Sequence, residues 1–162
     1  MKILAVDQSF TCTGIVVMKD SQMLHCETFK TDKSKDIYLR TWEVILKLCQ
    51  IYSDHEPDVV ALESLSFSSF GNATRDLAGL QFSIITQLKH GRGYDVRVVP
   101  IGTIKKFATG KGNAKKVALL EHLPNDVRKT FDELGVKKST GLLDLTDAYW
   151  LGRTLEDMNN DN

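Results

Sequence analysis

Four acids in this chain stand in apolar sequence. Asp7 closes the run ILAVD and Glu63 closes VVALE, neither with a basic residue beside it, and Asp144 and Asp147 lie three apart in LLDLTDAYWLG. Hard divalent ions such as Mg²⁺ take oxygen ligands, keep several waters and bind a few carboxylates alongside phosphate oxygens. Two such ions about 3.5–4 Å apart activate a water and stabilise the departing oxygen of a phosphodiester. Brought together, the four carboxylates would form a metal-dependent hydrolytic centre. Singly, three of them have an ordinary reading: Asp7 as an Asx-turn or helix cap, Glu63 as an exposed strand end, Asp144 as the N-cap of the last helix. The chemical reading rests on the set.

The elements that would position them follow from the apolar pattern. Residues 2–7, 13–19 and 22–29 read as strands, with Asp20-Ser21 a hairpin turn between the last two. Residues 36–52 carry Ile37, Val44, Leu48 and Ile51 at helical spacing, with Pro57 beyond the end. Strand 59–63 precedes the loop SLSFSSFGN, and 73–90 reads as a helix with apolar residues on more than one side, stopped by Gly91 and Gly93. Strand 94–99 ends at Pro100, and helices are expected at about 101–108, 113–122 and 144–157. The order is that of an α/β fold with a mixed five-stranded sheet flanked by helices. If the first and fourth strands are parallel neighbours, Asp7 and Glu63 meet at their carboxyl ends, where open α/β sheets place their sites. Asp144 and Asp147 would share one face of the last helix, and two like charges so placed call for a cation.

The 162 residues, 42% apolar and 26% charged, predict one domain over 1–157 with a short polar tail at 158–162. A net charge of zero argues against a protein devoted to polyanions. The distribution tempers that, because Lys105, Lys106, Lys111, Lys115 and Lys116 fall in one stretch without an acid. The stretch reads either as a solvated loop or as a nucleic-acid-binding patch. Three unpaired cysteines suit reduced thiols, and no stretch resembles a signal peptide or a membrane span, so a cytoplasmic protein with no membrane partner is expected.

Taken together, ILAVDQSFTCTGIVV, VVALESLSF, IKKFATGKGNAKK and DLTDAYWLG occur in the order found in the RuvC-like Holliday junction resolvases, which the chain resembles over nearly its whole length. The resemblance implies an RNase H-like fold and an endonuclease that resolves four-way junctions and other branched DNA, leaving 5′-phosphate and 3′-hydroxyl ends. It implies Asp7, Glu63, Asp144 and Asp147 as catalytic metal ligands for two Mg²⁺ ions, with Mn²⁺ able to substitute and no small-molecule cofactor. Lys116 joins catalysis, and Lys105, Lys106, Lys111 and Lys115 contact DNA with it. The family's junction-probing aromatic falls where this chain has Ser66, so Phe67 takes the candidate role. A homodimer through helix 73–90 is implied, with Leu77, Leu80, Phe82, Ile84 and Ile85 on its faces. The short, divergent form is most similar to bacteriophage members, which would place it in a host cytoplasm.

Three other readings remain open. An RNase H-type or RNA-processing nuclease would cut an RNA-DNA hybrid or folded RNA. A non-catalytic junction-binding module would bind without metal and nick nothing. An actin-like nucleotide-binding protein, faintly suggested by DQSFTCTG, would bind ATP.

Overall fold

The computed structural model describes residues 1–65 and 71–160. Strands β1 (Lys2–Asp7), β2 (Thr13–Lys19) and β3 (Gln22–Phe29) form an antiparallel meander. Helix α1 (Ile37–His55), strand β4 (Val59–Glu63), helix α2 (Asn72–Ile85) and strand β5 (Val96–Val99) follow, then helices α3 (Ile101–Thr109), α4 (Lys116–Glu121), α5 (Asn125–Glu133) and α6 (Leu142–Asn160). The sheet order is β3-β2-β1-β4-β5, with β4 parallel to both β1 and β5. Asp20 and Ser21 turn the β2–β3 hairpin with φ of 50° and 63°, the left-handed pair that a tight two-residue hairpin requires.

Both faces of the central strands are buried, which is why their sequences run apolar without alternation. Leu4, Val6, Ile15, Val17, Val60 and Leu62 pack under α1 and α2 against Val44, Leu48, Leu80 and Ile84. Ile3, Ala5, Val16, Met18, Val59 and Ala61 face the other way, toward Leu145, Ala148 and Leu151 of α6. Side chains alternate along a strand, so Asp7 follows Ala5, and Glu63 follows Ala61, onto the α6 face.

Two glycines let α6 approach. A Cβ on Gly14 of β2 would lie 2.2 Å from the Asp144 carbonyl oxygen, and one on Gly152 would lie 2.2 Å from Met18 Sδ. The helix that carries Asp144 and Asp147 therefore lies directly on β1 and β2.

The structure moves several expected boundaries. Helix α1 starts at Ile37 because Asp36 caps it, its carboxylate accepting from the Tyr38 and Leu39 amides, and the helix runs on to His55, where Glu56 adopts a left-handed conformation. Helix α2 begins at Asn72 and passes into a wider π-type turn over Thr86–Gly91. Strand β5 begins at Val96 and α4 at Lys116, residues 113–115 being non-helical. Helix α5 was not expected; its apolar signal is only Val127 and Phe131, four apart. Asp144 is no N-cap, because α6 starts two residues earlier, after Gly141 at φ 116°. The helix also continues through Asn160, into the segment expected to be a polar tail.

Candidate active site

Asp7 and Glu63 end two adjacent parallel strands, and the first turns of α6 lay Asp144 and Asp147 across those ends. The four carboxylates sense one another. Burial pushes the Asp7 carboxyl well above its usual range; Lys116 opposes the rise, and Asp147, Glu63 and Asp144 add to it by repulsion. Burial, then the charge of Asp147, raises Glu63 to about 7, against Lys116 and Lys105. Asp147, 3% exposed, is raised in the same direction, again chiefly by burial.

Lys116, the first residue of α4, reaches into this cluster. Its Nζ lies 2.5 Å from Asp147 Oδ2 and 3.8 Å from Asp7 Oδ2. Burial works against its charge, but Asp7, Asp147 and Glu63 hold the ammonium's proton well above the ordinary lysine range. Asp147 Oδ2 is buried, and among the described residues the Lys116 ammonium is its partner. One ammonium thus faces several acids.

Among the described residues, no three His, Cys, Asp or Glu side chains are already gathered as a metal cage. The donor set nevertheless fits a hard divalent cation: it is all oxygen, anionic in excess of its single close ammonium, and largely buried. A cleft of about 220 Å³ opens beside it, lined by Asp7, Gln8, Glu63, Ala73 and Leu77. Lys105 of α3 is close enough to act on both Glu63 and Asp147. Lys106, Lys111 and Lys115 are exposed, on α3, in the following loop and at the cap of α4. Phe67 lies outside the described residues.

No family model matches the chain. It is 26% identical over 158 residues to the crossover junction endodeoxyribonuclease RuvC of Campylobacter lari, an alignment covering 95% of this chain and 94% of that protein. The structure of Thermus thermophilus RuvC superposes with a TM-score of 0.75 at 18% identity, covering 99% of this chain and 96% of that one. In sequence and in fold the chain is similar to RuvC. A second structure, T. thermophilus RuvC in complex with Holliday junction substrate, matches with a TM-score of 0.74 at 15% identity over 100% of this chain and 96% of that one. The RuvC-like, RNase H-like fold is the mixed five-stranded sheet described above, with its acids at the carboxyl ends of β1 and β4.

Sequence reasoning missed three neighbours of the acids. Gln8, buried, donates to the Glu63 carbonyl, as does Gln81 of α2. The Cys12 thiol, which donates to the Thr140 carbonyl at 3.8 Å, is pushed up to about 11 by burial and by Asp144. The signal available was position alone: Gln8 directly follows Asp7, and Cys12 lies in the loop opposite it.

Proposed function

We propose that this protein is a structure-selective DNA endonuclease that resolves four-way junctions, and nicks other branched DNA, by metal-assisted phosphodiester hydrolysis. The observation that carries the reading is the convergence of four carboxylates from β1, β4 and α6, undercompensated in charge, beside a lysine-bearing segment on a RuvC-like fold. Asp7, Glu63, Asp144 and Asp147 would hold two Mg²⁺ ions, with Mn²⁺ as a substitute. When bound, these supply an activated water and neutralise charge on the phosphate and on the departing oxygen.

The chain's own residues do the rest. The acids are carried on strand ends and on the first turns of a helix packed on the sheet, which orient the site. Lys116, its ammonium already among the carboxylates, would meet a non-bridging phosphate oxygen and stabilise charge that builds there. Water forms a bond to phosphorus, the bond to the 3′-oxygen breaks, and the proton passes to that oxygen, giving 5′-phosphate and 3′-hydroxyl ends. Lys105, Lys106, Lys111 and Lys115 contact the phosphate backbone and position it without reading bases. Phe67 is the candidate aromatic for the branch point.

The reading includes a homodimer, which would present two sites to the two-fold symmetry of a junction. It is supported by an exposed apolar face where α2 meets α1, with Phe82 73%, Tyr38 82% and Trp42 46% exposed. Sedimentation of wild type against Phe82→Asp tests this, a shift from dimer to monomer being the expected result.

The substrate test is nicking of end-labelled four-way junction, flap, linear duplex and RNA-DNA hybrid with Mg²⁺ or chelator. Paired, metal-dependent nicks near the branch point are expected. Preferential cutting of the hybrid would replace the reading with an RNase H-type nuclease, and junction binding without nicking would make the protein a binding module.

A further inference from the structure

The ladder between β1 and β4 stops one residue short of the acids, at Val6 and Leu62. Strand β1 ends at Asp7, and the side chain of Gln8 takes over where the backbone ladder leaves off. Its Nε2 donates to the carbonyl oxygen of Glu63 at 3.1 Å. The same oxygen accepts a second amide, Nε2 of Gln81 on α2, at 2.7 Å. On the opposite side the following residue is tied to β5, the Ser64 amide donating to the Val99 carbonyl at 2.9 Å. The main chain around Glu63 is thus held by β1, α2 and β5.

That carbonyl has two lone pairs, and side-chain amides from two different parts of the chain take them. The case for Gln8 is sharper. It is 3% exposed, and its Oε1 is buried with no partner among the described residues. A buried amide with an unserved oxygen is unfavourable, and an apolar side chain of similar length would avoid that cost. What such a side chain could not do is donate to Glu63.

We propose that Gln8 and Gln81 are positioning residues that clamp the Glu63 carbonyl, fixing the Glu63 carboxylate relative to Asp7 and linking the seat of α2 to the acid cluster. The inference rests on reading the four acids as a metal centre. Ligating oxygens must be placed within about 0.5 Å, and an amide on each side of one strand end supplies that restraint. Because Gln81 belongs to α2, a partner or DNA strand that shifts this helix also shifts Glu63.

Gln8→Met and Gln81→Met keep side-chain length and remove each donor. Mn²⁺ affinity is measured by calorimetry on protein without DNA, well below each variant's melting temperature, and kcat, KM and junction affinity are measured separately. The expected result is Mn²⁺ affinity weaker by about tenfold and kcat lower by about 10–100-fold, the usual effect of removing a residue that orients a metal ligand. Junction affinity and KM stay unchanged. The donors lie on different elements, so either variant alone carries the test. Lower thermal stability with Mn²⁺ affinity and kcat within about twofold of wild type overturns the proposal, since a purely structural hydrogen bond would do no more. If wild type itself binds no Mn²⁺ and nicks nothing, the reading of the acids fails and the clamp fails with it.

Discussion

Helix α6 buries two carboxylates to a similar degree, Asp147 at 3% and Glu156 at 8% exposed, and provides for them in opposite ways. Glu156 accepts from the Ser21 amide at 2.8 Å and the Ser21 hydroxyl at 2.9 Å, and Arg153 Nε lies 3.4 Å away. It secures the β2–β3 hairpin turn. Asp147 has Lys116 at 2.5 Å, an ammonium it shares with Asp7, and its other charged neighbours include Asp144. Burying a carboxylate is costly unless its oxygens are served. Where a buried acid has donors of its own it builds structure; where several buried acids share one close ammonium, at the end of a sheet, the arrangement marks a site.

The comparison breaks most visibly under neutralisation of the acids. Asp7→Asn, Glu63→Gln, Asp144→Asn or Asp147→Asn should each lower the nicking rate by about 10³-fold or more while junction affinity in a gel-shift assay holds. Lys116→Met should cost about 10²-fold in single-turnover nicking, by removing one charge from the phosphate.

A pH series separates the cluster from the rest of the fold. Folding lifts Glu63 from 4.5 to about 7 through burial and the charge of Asp147. Between those values the folded state holds a proton that the unfolded chain has released, so this group's contribution to stability falls as pH rises toward and through 7. In chelator, the melting temperature of wild type should therefore drop relative to Glu63→Gln as pH is raised across that window. Added Mg²⁺ should recover the loss at the upper end, because a bound cation compensates the same charge.

The smallest effect is expected at Glu156. Glu156→Gln should leave nicking unchanged at temperatures where the protein is folded and cost about 1–3 kcal/mol in a denaturant titration, the range for disturbing a buried hydrogen-bonded group. A catalytic loss in that variant would erase the distinction between the two acids.

Much of the scaffold is legible in the sequence because burial on both faces writes itself as uninterrupted apolar runs. ILAV and VVAL report the central strands, and Asp20-Ser21 reports the hairpin. The four acids stand out for the same reason: each breaks or borders an apolar run. Helix α5 does not, since NDVRKTFDE offers only Val127 and Phe131 among charges. Nor does the close docking of α6, which depends on absent side chains at Gly14 and Gly152, or the Gln8 and Gln81 clamp, which joins residues 73 positions apart through a backbone atom. The alternative of Asp144 as an N-cap fails because the helix begins two residues earlier, after Gly141 in its left-handed conformation.

The most direct measurement is single-turnover nicking of a labelled four-way junction with Mg²⁺ by wild type, Asp147→Asn and Glu156→Gln side by side. Wild type and Glu156→Gln should cut paired strands near the branch point, and Asp147→Asn should bind the junction without cutting it. Equal cutting by all three, or by none with junction still bound, would show that the acids at the sheet end serve structure and would contradict the account.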